Sequence, residues 1–147
     1  MSQISWIRSH VEVLLQREWD VCRVVVDEDG DVAFRSGTAA CWVSVLESEP
    51  PMVRVWAHAA HGIKATLPVL RELNELQSRA VSAQVHHHNG CIVVSQTISP
   101  VGLSGEVLMQ AVETVSSVAQ DIGPLFAAMF GGATPFRAEA SSDEGVP

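Results

Sequence analysis

Residues 104–132 read SGEVLMQAVETVSSVAQDIGPLFAAMFGG, and the fold turns on how that stretch is read. Ser104 is placed to cap a helix N-terminus, Glu106 favours the first turn, and Gly131–Gly132 make a C-terminal stop. Between them Leu108, Ala111, Val112, Val115, Val118, Ala119, Ile122, Leu125 and Phe126 recur at helical spacing. Met109, Ala127, Met129 and Phe130 carry the apolar surface further round the cylinder. A helix this apolar has to be covered by the rest of the chain. Proline inside a helix removes a hydrogen bond and crowds the preceding turn, so Gly123–Pro124 predicts a kink or break there. Leu125 to Phe130 would then form a separate final turn or two. No side chain in the stretch suggests chemistry.

Working back from this helix, Ser82–His88 and Cys91–Ile98 form a hairpin about Asn89–Gly90, the strongest two-residue turn signal in the chain. Ahead of the hairpin a helix starts near Thr66, with Pro68 tolerated in its first turn. Leu67, Leu70, Leu73 and Leu76 give it an apolar side; of its amides Asn74 and Gln77, either could reach a strand backbone or face water, and Asn74 is the one expected to be partly buried and bonded. A further helix over residues 3–18 carries Ile4, Ile7, Val11, Leu14 and Leu15 on one face, with Trp6 and Trp19 anchoring its ends.

Between these helices lies a strand meander. Val21–Val26 and Val32–Arg35 are expected to pair about the acidic turn Asp27–Glu28–Asp29–Gly30–Asp31. Thr38–Leu46 and Met52–Ala60 follow, joined through Glu47–Ser48–Glu49–Pro50–Pro51. Alternation places Val43, Val45, Val53, Val55 and Ala57 on one side of that second hairpin. If the valines face the core, Trp42 and Trp56 point away from it as a cross-strand pair beside Arg54 and His58. Such a surface needs covering, either by the first helix or a loop, or by a second subunit or a peptide.

The chain of 147 residues, 47% hydrophobic and 18% charged, is long enough for one domain with a real core. Nine basic against seventeen acidic residues leave a charge of −8, which argues against nucleic acid or an anionic membrane as partner. No secretory signal or spanning segment is visible in the sequence. Three cysteines at no repeating spacing read as reduced residues of a cytoplasmic protein.

Candidate chemistry is sparse. His86–His87–His88 lies on a strand, so His86 and His88 share a face and His87 takes the other. With a third ligand from His58, His61 or Cys91, His86 and His88 would make a small metal-responsive regulator, the alternative function carried from here. Neither Cys41 nor Cys91 sits in a nucleophile signature, and the acidic turn lacks the length and closing glutamate of a calcium loop. No catalytic residue and no cofactor is expected.

Three stretches carry a family likeness. Asp29–Gly30–Asp31–Val32–Ala33–Phe34–Arg35, the helix segment Leu70–Arg71–Glu72–Leu73–Asn74–Glu75–Leu76, and Val115 to Gly132 ending Phe130–Gly131–Gly132 occur in the order found in the YbjN family. The chain resembles the actinobacterial members of that family, which shares its fold with the CesT-like and YopN-associated type III secretion chaperones. Gln77 stands where such members usually have a second asparagine, and Val81–Ser82–Ala83 where they commonly have an aromatic. The resemblance implies an α+β sandwich, often a homodimer, and in the chaperone branch a peptide-binding surface, without catalytic residues. It also implies the association of YbjN proteins with regulation of bacterial stress and motility.

These observations lead to an α+β fold with an antiparallel sheet of five or six strands packed with three helices, over residues 1–132. Residues 133–147 are expected to be a disordered acidic tail. The expected function is non-enzymatic, chaperone-like binding of a protein or peptide, with Trp42, Arg54 and Trp56 contacting the partner.

Overall fold

The structure, a computed structural model, describes residues 2–79 and 82–138. Its elements in chain order are α1 (Gln3–Glu18), β1 (Val32–Ser36), β2 (Ala39–Leu46), β3 (Met52–Ala60), α2 (Leu67–Arg79), β4 (Gln84–His88), β5 (Cys91–Ile98) and α3 (Gly105–Phe130). The strands form one antiparallel sheet in the order β1-β2-β3-β5-β4. This is the α+β architecture expected, with five strands and three helices.

α3 packs across β3, β5 and β2, and α1 fills the space between α3 and β2. Its ends are set as the residues dictate. The Ser104 hydroxyl accepts a hydrogen bond from the Val107 amide at 3.2 Å, and Gly131 closes the helix at φ 74°. The predicted break at Gly123–Pro124 is absent, since one helix runs from Gly105 to Phe130. A proline inside a helix costs about 3 kcal/mol, but Ile122 and Phe126 on either side are buried, each worth about 1.5–3 kcal/mol. Pro124 itself points to solvent. Gly123 has its own purpose, because a Cβ there would run into the carbonyl oxygen of Ala59. Its hydrogen lets α3 come down onto β3.

Two other expectations give way. Val21–Val26 is not a strand: it meets β1 through a single bridge, Val26 to Val32, with the Ala33 amide on the Val25 carbonyl at 2.9 Å. The Asp27 carboxylate takes the amides of Asp29 and Asp31 at 3.0 and 2.9 Å and tightens the turn. Upstream of it Val21, Val25 and Val26 are exposed and only Val24 packs against the core, so little burial holds that segment to the sheet. On α2 the buried side chains are Val69 and Leu73, with Leu76 partly covered, while Leu67 and Leu70 are exposed. Steps of three drift roughly 60° backward per step, which puts Leu67 and Leu76 on opposite sides of the helix. Asn74 faces water, and Gln77, one turn on from Leu73, makes the bonds instead. Its amide donates to the Ala83 carbonyl at 3.2 Å and accepts from the Val85 amide at 2.7 Å, pinning α2 to the start of β4.

Of the two tryptophans expected to anchor α1, Trp19 packs on Phe34 at 5.1 Å, whereas Trp6 is 57% exposed and stacks only on His10. The stretch expected to form a tail begins at Ala133, which exchanges hydrogen bonds with His61 at 2.8 and 3.0 Å. Phe136 then bonds to the Thr38 carbonyl at 3.1 Å and lies 4.5 Å from the Arg35 guanidinium. The remainder, 139–147, lies outside the described residues.

Candidate functional site

The pleat separates the sheet into two surfaces of opposite character. Val43, Val45, Val53, Val55, Ala57, Ile92 and Val94 join Leu15, Leu73, Leu108, Val115 and Phe126 in a single buried cluster, so all three helices serve one face. The other face carries Trp42 and Ser44 on β2, and Arg54, Trp56 and His58 on β3. β5 adds Val93, Ser95 and Thr97, and β4 adds Gln84, His86 and His88. Among the described residues no helix contributes a buried side chain there. Val93 shows how this face protects itself. It is 3% exposed yet stands outside the core cluster, with His58 and His86 as its cross-strand neighbours.

Trp42 and Trp56 stand directly opposite each other in the β2–β3 register, with ring centroids 4.4 Å apart and planes 21° from parallel. Such a stacked pair is worth about 0.5–1.5 kcal/mol beyond its burial. His58 meets both indoles edge-on, at 4.9 and 5.4 Å. The Arg54 guanidinium lies 5.4 Å from the Trp56 ring centre. A polar brace runs behind the pair: Trp56 Nε1 donates to Ser44 Oγ at 2.8 Å, and Ser44 hydrogen-bonds the Asp31 carboxylate. Burial raises the Asp31 pKa, the Ser44 bond opposes that rise, and Asp27 and Asp29 reinforce it. All three residues marked from the sequence, Trp42, Arg54 and Trp56, therefore sit together on one uncovered surface. The first helix does not cover it, because α1 buries its stripe on the opposite face.

The structure adds residues that sequence reasoning assigned elsewhere. His86 and His88 belong to the tryptophan face through the pairing of β5 with β3, a contact between distant segments with no local signal. The Ser44–Asp31 brace is equally non-local. Burial lowers the pKa of His58, with His61 and His88 adding to the effect. At His86 burial again leads, followed by the charges of Arg54, His88 and His87. His87 takes the core side as alternation requires, with Nε2 2.6 Å from the Ile63 carbonyl.

The same geometry bears on the other chemical readings. Among the described residues the one compact set of three metal-type ligands is Asp27, Asp29 and Asp31, and no third ligand joins His86 and His88. Burial pushes the Cys41 thiol up to about 11, despite hydrogen bonds to Ser116 and Ser36, so at neutral pH it is no nucleophile. A groove of about 750 Å³ runs beside β1, floored by Trp19, Phe34 and Val112 and rimmed by Glu113 and Asp121. No described helix is long and apolar enough to cross a membrane.

Comparison with known proteins agrees with this architecture. The ExsC–ExsE complex contains a chain of the same fold, at a TM-score of 0.64 and 14% identity, over 85% of this chain and 96% of that one. The HopA1–SchA chaperone–effector complex matches at 0.63 and 12%, over 82% and 97%. YbjN from E. coli matches at 0.63 and 12%, over 88% and 96%. No curated protein sequence matches the chain significantly. At such identities these structures speak for the fold alone, whereas the family match is made on the sequence and covers residues 5–138. With that match over nearly all of the described residues, the chain belongs to the T3SS (YopN, CesT) and YbjN peptide-binding chaperone 1 family.

Proposed function

We propose that this peptide-binding chaperone takes its partner on the uncovered face of the sheet, with Trp42, Arg54 and Trp56 as contact residues. The observation that carries the reading is the stacked tryptophan pair on a face that no helix covers. An extended segment of a partner would lay apolar side chains on the indoles, gaining about 25 cal/mol for each Å² of apolar surface removed from water. Two stacked indoles, one of them held by Ser44, lose little freedom on binding, which favours them as anchors. The work is recognition and burial, with no bond made or broken, so the reading is non-enzymatic.

The reading also includes a homodimer in the bacterial cytoplasm. Leu67, Leu70, Leu125 and Met129 are exposed apolar positions available for a second copy, and the free Cys22, Cys41 and Cys91 suit a reducing compartment. Light scattering checks the dimer.

The test is the double variant Trp42→Ala/Trp56→Ala, assayed by anisotropy with a labelled neutral peptide bearing two central leucines. Loss of binding with a cooperative thermal transition retained supports the proposal. Undiminished binding by the folded double variant would place the contact surface elsewhere, the groove beside Trp19 and Phe34 being the next candidate.

A further inference from the structure

The uncovered face is not electrically neutral. Its strand positions carry Arg35, Arg54, His58, His86 and His88 and no carboxylate, in a chain whose net charge is −8. The acidic excess lies elsewhere, with Glu72 and Glu75 on α2 and Glu106, Glu113 and Asp121 on α3. The basic groups are close enough to act on one another. Beyond burial, His61 and His88 depress His58, while Arg54, His88 and His87 depress His86. Arg54 extends over the Trp56 ring, so its charge is felt on the β4 side of the indole pair. On the other side Ser44 links Trp56 to Asp31, whose turn also holds Asp27 and Asp29. The aromatic platform thus has an acidic turn at one corner, with Arg35 further along β1 on the same face, and basic groups along the β3–β4 side.

We propose that the occupant of this face is an extended acidic peptide. Its apolar or aromatic side chain would lie on Trp42 and Trp56, and its carboxylates on the side of Arg54, His58, His86 and His88. The inference rests on the peptide-binding reading above and specifies the chemistry of its ligand. Arginine pairs with a carboxylate through two parallel hydrogen bonds, a geometry available to Arg54 where it overhangs the indole. The chain's distant carboxylates do not defeat the attraction. At physiological salt the screening length is about 8 Å, so charges on the helices are damped while groups in contact are not.

A second consequence is that binding tightens as pH falls. His58 and His86 titrate below the ordinary histidine value of 6.5, so near pH 7 they are neutral. The peptide's glutamates, with an ordinary pKa of about 4.3, stay largely ionised down to about pH 5.5. Lowering the pH below 6.5 therefore adds positive charge to the face as these rings take up protons, while the ligand's carboxylates stay largely ionised.

Three labelled ten-residue peptides with the same central phenylalanine and leucine, flanked by glutamates, glutamines or lysines, are titrated by anisotropy at pH 7.5 and 5.5. The expected order is glutamate over glutamine over lysine, with about tenfold between the extremes. Arg54→Gln brings the glutamate peptide down to the glutamine peptide's affinity. His86→Gln reduces the gain at low pH for the glutamate peptide and leaves the glutamine peptide unchanged. Thermal melts confirm that each variant is folded. Equal affinity for the three peptides, or preference for lysine, overturns this inference while leaving the peptide-binding reading intact; failure of all three to bind overturns both. If Arg54→Glu dissociates a dimer seen by light scattering, the face is occupied by a second copy of the chain and the inference is wrong.

Discussion

The two faces of β3 hold the same strand to opposite rules. Toward α3 it presents Val53, Val55, Ala57 and Ala59, all fully buried and all small or β-branched. On the other side it presents Arg54, Trp56 and His58, large and only partly buried. Small residues under the helix let α3 settle until the hydrogen of Gly123 meets the Ala59 carbonyl. Large rings on the far side cover themselves, by stacking on Trp42 and by sheltering Val93. One face is completed by the chain's own helices. The other stops short of completion, which is what a surface for a transient partner requires.

The sharpest way to break this contrast is to truncate one large ring on each side. Phe126 is fully buried in the cluster that receives all three helices. Phe126→Ala should cost about 3–5 kcal/mol, read as a large drop in the urea midpoint. Trp42→Ala removes a bigger side chain but should cost clearly less, because its site opens to water and leaves no enclosed cavity. Equal losses would make Trp42 a core residue and end the distinction.

A smaller effect sharpens the picture of how the platform is held. Trp56→Phe keeps an aromatic ring but removes the Nε1 donor to Ser44. The expected loss is about 0.5–1.5 kcal/mol, with a change in indole fluorescence as Trp42 exchanges an indole partner for a phenyl ring. No change in stability would mean that the Ser44–Asp31 brace is incidental.

The smallest effect is a pH dependence of stability. The folded state holds His58 and His86 below their unfolded value of 6.5, so the unfolded chain binds more protons in that range. Their contribution is therefore complete above about pH 7.5 and declines as pH falls through 6.5. A modest fall in melting temperature from pH 7.5 to 5.5, reduced in His58→Gln/His86→Gln, is the expected result. Identical pH profiles for the two proteins would show that these rings titrate as freely as in the unfolded chain.

Much of the fold was legible because its signals are local. Ser104 and Gly131 bound α3, Asn89–Gly90 sets the β4–β5 hairpin with φ of 48° and 79°, and alternation runs from Met52 to Ala59 along β3, up to the register shift at its end. The misreadings came where a local pattern competes with an environment the pattern does not contain. Val21–Val26 has strand composition but buries little beyond Val24 and pairs through a single bridge. Pro124 should end a helix, yet buried residues before and after it keep the helix whole. Asn74 gave way to Gln77 because the angle from Leu73, and not the residue type, decides which amide reaches β4.

The candidate site divides the same way. That Trp42, Arg54 and Trp56 share a face follows from a period of two, and their mutual contact from one hairpin register. These are short-range consequences of backbone geometry, and the amino-acid sequence by itself determined them. Tertiary structure alone decided that the helices cover the valine face and leave the tryptophan face open, and that His86 and His88 arrive beside Arg54. Both depend on β5 crossing back to pair with β3 and on α3 docking across them, contacts between segments far apart in the chain. Such contacts are chosen by the burial of the whole molecule, and no stretch of residues encodes them alone.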